Sequence, residues 1–368
     1  MKNKIIGALL AVIFFAVCFS GKQYSASSPA GQITVSAEAA ILVCADNGDV
    51  LFEKNADEKK AIASITKIMT AIIALEYAEK NDRVITFTEK MTAEGSSLYL
   101  KSGDKLRLSE LVKGMLCVSG NDAANAVAVG IAGSKKKFAE MMNSKARELG
   151  MSNSHFVTPS GLDDENHYST ARDMSILCRY AMLNETFADI VSQKSLTVKY
   201  VFPEGKTQEC SNHNRLLNEY EGCIGIKTGY TKKAGRTLTA CAERNGVRLI
   251  AVTLCAPDDW NDHKMLFDYG FSVTESFDLR NVFQPLELPI VGGTADSIGV
   301  CPDTCFAAVF TDRSNDISYK IIMPHFCYAP VKKGTVVGEV HYYRSNKKIA
   351  SALLCAAESV DLQEQYRR

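Results

Sequence analysis

The sequence predicts a mixed α/β domain of amphipathic helices and β-hairpins, followed by a small all-β domain, behind a short leader. Three observations carry that reading. Two lysines and an apolar run open the chain, helical periods and Asn-Gly hairpin signals fill it to about Ser276, and helical periodicity stops there. The chain has 368 residues, 46% hydrophobic and 23% charged, which is a globular composition with room for two domains. Lys+Arg and Asp+Glu are both 42, so the basic excess of a polyanion binder is absent and no nucleic-acid partner is expected.

Lys2 and Lys4 precede the apolar stretch Ile5 to Phe19, and small residues follow. This is the pattern of a secretory signal, too short for a span of about 20 residues. Ser28-Pro29-Ala30 and Val35-Ser36-Ala37 both offer small residues for cleavage, so residues 1–37 are assigned to a leader cut after Ala30 or Ala37. Val17 before Cys18 is larger than a lipid-modified cysteine normally accepts, and Cys18 reads as signal filler. Export by the Sec route is expected.

The segment Ala39 to Glu53, with Asn47-Gly48 inside it, reads as a hairpin. From Ser64 to Ala78 apolar residues recur at Ile65, Ile68, Met69, Ile72, Ile73 and Leu75, the period of a helix with one wide buried face. Similar patterns predict helices over 108–118, 122–132, 136–149 and 171–183. Strands over 236–242 and 247–255 flank Asn245-Gly246, and 262–269 predicts a closing helix. Residues 38–276 are therefore one domain. Residues 277–360, with alternating runs at 306–310, 319–323 and 335–343, form a β domain, and 361–368 is a polar tail lacking an amphipathic anchor.

Twelve cysteines in an exported chain would ordinarily suggest a disulfide framework. Cys44, Cys117, Cys178 and Cys255, however, sit in apolar runs, where a thiol behaves as a small hydrophobe. Most are expected reduced, with Cys301 and Cys305 the best candidates for a pair. No zinc-type CxxC spacing occurs and His155, His167, His213, His263, His325 and His341 are scattered, so no metal and no cofactor is expected.

Three short motifs occur in order: Ser64-Ile65-Thr66-Lys67, Ser119-Gly120-Asn121 and Lys227-Thr228-Gly229. Ser-x-x-Lys also occurs at Ser134/Lys137 and Ser345/Lys348, but the first lies in a lysine run and the second follows a strand, where i and i+3 do not share a face. On a helix they do, and a lysine at the start of an apolar helix costs solvation unless it has a task. A serine hydroxyl needs an adjacent base, and a lysine serves when burial and a second cation depress its pKa. The pattern therefore assigns Ser64 as nucleophile, Lys67 as general base and Lys227 as second cation. Ser119 would relay a proton to the leaving amine, and Asn121 would bind the substrate amide and orient Lys67. Lys227, Thr228 and Gly229 would lie on an edge strand, Gly229 admitting a substrate backbone. The backbone N–H groups of Ser64 and Tyr230 would form the oxyanion hole, typically worth about 2.7–4 kcal/mol per donor.

The ordered triple is shared by β-lactamases and penicillin-binding proteins. Together with Glu94-Gly95-Ser96-Ser97, Asp122-Ala123-Ala124, Gly161-Leu162-Asp163-Asp164 and Tyr230-Thr231, it resembles the low-molecular-mass penicillin-binding D-alanyl-D-alanine carboxypeptidases, serine peptidase family S11. Pro257-Asp258-Asp259-Trp260 with Asp262-His263 resembles members from spore-forming Gram-positive bacteria. The resemblance implies an antiparallel sheet covered by helices plus a helical subdomain, the small β domain behind it. It also implies peptidoglycan stem peptides as substrates, β-lactams as covalent inhibitors, and a place at the cell wall or the outer face of the membrane. The chain departs from the family pattern in Ile224, where an Asp is frequent, in Arg236, where an aromatic is usual, and in lacking the amphipathic C-terminal anchor. Two rival readings are a serine β-lactamase, whose deacylating Glu-x-x-Leu-Asn stretch is absent here, and a non-catalytic wall-binding protein. Arg236 is read either as a solvated arginine or as a partner for the substrate carboxylate. Trp260 with Asp258 and Asp259 is read as capping the closing helix.

Overall fold

The computed structural model describes residues 33–303, 307–310, 317–344 and 346–366. The apolar leader, the cut after Ala30, Cys305 and Ser345 lie outside them. The chain divides into two compact units, the second beginning at Ser276.

In chain order the first unit comprises β1 (Ala39–Cys44), β2 (Val50–Lys54), α1 (Lys67–Asn81), β3 (Val84–Thr86), β4 (Lys105–Arg107), α2 (Leu108–Cys117), α3 (Asn121–Ala132), α4 (Lys135–Glu148), α5 (Ala171–Ala181) and α6 (Glu185–Ser192). There follow β5 (Ser195–Lys199), β6 (Thr207–Ser211), α7 (Leu216–Glu219), β7 (Cys223–Thr231), β8 (Gly235–Arg244), β9 (Val247–Leu254) and α8 (Asp259–Val273). A five-stranded antiparallel sheet runs in the order β2-β1-β9-β8-β7, which leaves β7 as a free edge.

Both faces of this sheet are covered, so its central strands are buried without alternation. On one face Leu42 and Leu249 meet α8 so closely that a Cβ at Gly270 would fall 2.5 Å from Leu249. On the other, Ile41, Val43, Ile250 and Val252 join a core shared with α1 and α5. Helix α1 is that core's centre: every residue from Lys67 to Leu75 is buried. Each of its large aliphatic side chains contributes about 1.5–3 kcal/mol by leaving water. Ala123, Ala124, Ala126, Val127 and Ala128 are buried on α3, and small side chains there let α3 pack against both α1 and α2.

The helix starts explain the stray motif. Ser134 accepts a bond from the backbone N–H of Lys137 at 3.2 Å, so this Ser-x-x-Lys is an N-cap. Thr170 and Asn184 cap α5 and α6 in the same way. Asp258 does not: α8 has no side-chain cap, and the expected capping role of the Asp258–Trp260 run is corrected below.

The second unit contains β10 (Glu275–Asp278), β11 (Leu286–Val291), β12 (Ser297–Pro302), β13 (Ala307–Phe310), β14 (Ile317–Ile322), β15 (Cys327–Tyr328), β16 (Val336–Arg344) and β17 (Lys347–Ala356). Six of these strands form a sheet in the order β14-β16-β17-β12-β11-β15. Leu288, Ile290, Val300, Val340, Tyr342 and Leu354 fill a core of its own. The end of the chain is less of a tail than its polarity suggests. Val360 is buried and bridges Val331, and Leu362 bridges Gly293, because the apolar side chains among the polar ones dock on the domain. Among the described residues no helix is long and apolar enough to cross a membrane.

Candidate active site

Ser64 lies in a single 3-10 turn, Ala63–Thr66, that leads into α1 at Lys67. The chain enters sharply, with Ala63 at φ +48°, so the expected helix start is tighter than an α-turn and still stacks Lys67 above Ser64. Lys67 Nζ is 2.8 Å from Ser64 Oγ. It also donates to Asn121 Oδ1 at 2.7 Å and to the backbone carbonyl of Ser160 at 2.7 Å. Lys67 is 0% exposed. Burial holds its pKa well below the lysine range, the charge of Lys227 lowers it further, and Asp122 opposes both.

Asn121 opens α3, its Nδ2 donating to the Glu94 carbonyl at 2.7 Å. Ser119 precedes it at φ +60°, a conformation that costs a non-glycine residue energy and that here turns Ser119 to line the cleft with Ser64. The next residue, Asp122, is buried and receives the Leu98 and Leu100 N–H groups at 2.8 and 3.0 Å and the Ser97 hydroxyl at 2.7 Å. It pins the 96–100 segment beside the cleft.

Lys227, Thr228 and Gly229 lie on the free edge β7. Lys227 is buried, donates to the Thr228 carbonyl at 2.9 Å, and has its pKa lowered to about 7 by burial, with the Cys117 thiol opposing. A Cβ at Gly229 would sit 2.4 Å from Thr237 Oγ1 and 2.9 Å from the Ser64 backbone nitrogen, so only glycine lets β7 run this close to the serine turn. Tyr230 is 66% exposed and its residue lines the cleft.

A cleft of about 260 Å³ brings Ser64, Ser119, Thr228, Gly229 and Tyr230 together, with Ser96, His213, Arg236, Asp259 and Trp260 completing its wall. Arg236 donates from Nε and Nη2 to Asp259 Oδ1 at 2.9 and 2.7 Å and lies over the Trp260 ring at 5.5 Å. It is therefore a clamped cation in the cleft wall, and Asp259 and Trp260 hold it there where helix capping was expected. The remaining aspartate of this run, Asp262, is buried and takes bonds from the Ser36 N–H and hydroxyl and from the Ala37 N–H at 2.7–2.9 Å.

Sequence reasoning missed the Ser160 carbonyl, because a backbone acceptor has no side-chain signature. Its loop carries one readable sign. Gly161 is at φ +82°, and a Cβ there would fall 1.9 Å from the Ala63 carbonyl oxygen. Ser96 and Asp122 entered the sequence reading only through the family resemblance, without a role, and His213 only as one of the scattered histidines.

A serine against a buried lysine, on a helical subdomain facing the edge of an antiparallel sheet, defines an active-serine hydrolase of the penicillin-recognising class. The sequence model described as D-alanyl-D-alanine carboxypeptidase, Peptidase_S11, matches residues 22–258, and that of the penicillin-binding protein 5 C-terminal domain matches residues 287–362. The chain belongs to the D-alanyl-D-alanine carboxypeptidase family. It is 31% identical to the D-alanyl-D-alanine carboxypeptidase DacF of Bacillus subtilis, covering 98% of this chain and 95% of that protein. With DacC of Escherichia coli it shares 32% identity over 98% and 93%. Among solved structures, penicillin binding protein 5 from Haemophilus influenzae superposes with a TM-score of 0.65 at 29% identity, covering 92% of this chain and 100% of that one. The chain is a serine D-alanyl-D-alanine carboxypeptidase of the penicillin-binding type, and neither rival reading is favoured.

Proposed function

We propose that Ser64 is the residue acylated by a peptidoglycan stem peptide ending in D-Ala-D-Ala, and that Lys67 is its base. The carrying observation is the set of three contacts at Lys67 Nζ. A neutral amine has two N–H groups and one lone pair. Two of the three neighbours, Asn121 Oδ1 and the Ser160 carbonyl, are acceptors only. With both N–H groups spent on them, the lone pair points at the third, Ser64 Oγ, 2.8 Å away, so in the neutral amine the serine hydroxyl donates. Burial and Lys227 favour that neutral form.

The reaction then runs in two halves. Ser64 Oγ bonds to the carbonyl carbon of the penultimate D-alanine as its proton passes to Lys67. The oxyanion is held by the Ser64 and Tyr230 N–H groups, a stabilisation typically of about 2.7–4 kcal/mol per donor. The C–N bond breaks as Ser119 hands its proton to the leaving D-alanine and takes up the proton held by Lys67, which is neutral again. Thr228 and the clamped Arg236 receive the leaving carboxylate. A water then loses its proton to Lys67, attacks the ester and restores the Ser64 hydroxyl. Asn121 keeps Lys67 oriented, and its amide meets the substrate peptide. A β-lactam forms the same ester but keeps its amine tethered in the water's path, so its acyl-enzyme persists.

The chain works outside the cytoplasm after loss of its leader. Ser36 and Ala37 are bonded to the buried Asp262, so a cut after Ala37 would sever an integrated segment, which favours cleavage after Ala30. The two units are a catalytic domain and a separate β domain.

The test incubates purified protein with a D-Ala-D-Ala pentapeptide and with fluorescent penicillin. D-alanine release and covalent labelling are expected, both abolished by Ser64→Ala and untouched by Ser134→Ala. Labelling retained in Ser64→Ala overturns the nucleophile. Fast penicillin hydrolysis without D-alanine release overturns the carboxypeptidase reading in favour of a β-lactamase.

A further inference from the structure

We infer that His167 is a positioning residue for the Lys67 base, a neutral strut that holds the Ser160 carbonyl on Lys67 Nζ. This rests on the reading of Ser64 and Lys67 as nucleophile and base. His167 is 4% exposed. Its Nδ1 lies 3.0 Å from the Val157 N–H and 3.2 Å from the Thr158 N–H. Both neighbours are donors only, so Nδ1 is unprotonated and the ring proton sits on Nε2. That nitrogen is 2.8 Å from Thr66 Oγ1, to which it donates. One imidazole thus ties the 157–162 loop to the turn that carries Ser64 and Lys67.

The loop is fixed at further points that make the tie consequential. Thr70 Oγ1 donates to the Pro159 carbonyl at 2.6 Å. Thr158 Oγ1 receives the Gly161 N–H and donates to the Leu162 carbonyl, both at 3.1 Å. Gly161 abuts Thr66 Oγ1, which would be 2.7 Å from a Cβ there. Between these anchors lies the Ser160 carbonyl, one of the two acceptors that determine where the Lys67 lone pair points. If it drifts, one Lys67 N–H loses its partner, and the amine is free to turn an N–H toward Ser64 in place of the lone pair.

The ring is built to stay neutral. Burial lowers its pKa to about 4, the carboxylates of Asp164 and Asp163 opposing and His155 and Lys233 assisting. The imidazole and the Phe156 ring stand at 83° to each other, their centroids 5.7 Å apart. A cationic imidazole would carry a proton on Nδ1 against two N–H donors, so the strut is lost only well below neutral pH.

The test follows acylation by penicillin at saturating concentration across pH, in wild type, His167→Ala and His167→Asn, with thermal midpoints measured alongside. In His167→Ala the acylation rate constant is expected to fall about 10- to 100-fold, while noncovalent affinity holds within about twofold. The acid limb of the profile should move to lower pH, because a carbonyl acceptor favours the ammonium form of Lys67 and its loss lowers that pKa. His167→Asn, whose Oδ1 can take the Nδ1 role without reaching Thr66, should be intermediate. A third reading needs no variant: ¹⁵N shifts of wild-type His167 at neutral pH should report the Nε2–H tautomer. The Nδ1–H tautomer, a wild-type rate in folded His167→Ala, or a lowered rate with an unmoved acid limb would each overturn the inference. Ser64→Ala run in parallel separates the two levels: if it still labels, the underlying site assignment has failed, whereas a dead Ser64→Ala beside normal His167 variants sinks the strut alone.

Discussion

Replacing Lys227 with methionine should stabilise the first unit while destroying its activity, and the gain should vanish with rising pH. Lys227 is buried, and its pKa falls from 10.5 to about 7 on folding. Between those values the unfolded chain binds a proton that the folded chain does not. Stability contributed by this group therefore rises with pH through that window and is at its lowest below pH 7. At pH 6 the penalty is about 4–5 kcal/mol and at pH 10 about 1 kcal/mol, a swing of roughly 4 kcal/mol. Methionine has a similar length and no charge to desolvate, and replacing a buried charge by an apolar group of like volume is often stabilising. The assay is denaturant unfolding of both proteins at pH 6, 8 and 10, with acylation measured in parallel. Lys227→Met should be the more stable protein at pH 6, by a margin that shrinks by about 4 kcal/mol at pH 10. A stability difference that stays constant from pH 6 to pH 10 would refute the claim that burial depresses the pKa of this lysine.

Other changes probe the remaining parts. In Gly161→Ala the new Cβ starts 1.9 Å from the Ala63 carbonyl oxygen, so the loop must retreat by more than an ångström, and penicillin acylation should drop about 100-fold; a normal rate would mean the loop does not set the base. Lys67→Arg and Lys67→Ala should each lose about 10²–10⁴ in turnover, since guanidinium does not deprotonate at working pH. Near-normal D-alanine release by Lys67→Arg excludes the lysine base. A fragment ending at Glu275 should be soluble and acylate at the full rate, because every cleft residue precedes that point; an insoluble or inert fragment shows that the domains are not independent.

The helices were legible because each carries a full apolar stripe, and α1 to α5 lie within a few residues of their expected bounds. Strand pairs β1/β2 and β8/β9 were marked by Asn-Gly. Short elements without such a mark, namely β3, β4, α6 and the strands of the β5/β6 hairpin, carry too few periods to be read. In the site, residues with unusual chemistry announced themselves: a lysine in an apolar helix, and a lysine on a strand beside a glycine. Backbone groups and residues that act on backbone did not. Ser160 contributes only a carbonyl, Asp122 binds N–H groups of a loop, and His167 in isolation reads as an ordinary core histidine. Arg236 shows the converse limit. Its presence was visible, but its clamp depends on Asp259, which the antiparallel β8/β9 hairpin brings back alongside it.

Two buried lysines share this site, and depressed pKa alone does not say which is the base. Burial lowers the pKa of both, that of Lys227 to about 7, and Lys67 also meets the charge of Lys227. A proton on Lys227 therefore disfavours one on Lys67. In the proposed mechanism a charge on Lys227 lowers the Lys67 pKa and so favours the unprotonated amine that accepts the Ser64 proton. Geometry points in the same direction. Lys67 reaches Ser64 Oγ and two acceptors, whereas Lys227 donates to the carbonyl of the residue after it. Moving the charge from Lys227 to Lys67 would leave the serine facing an ammonium that can only donate, and no acylation would follow.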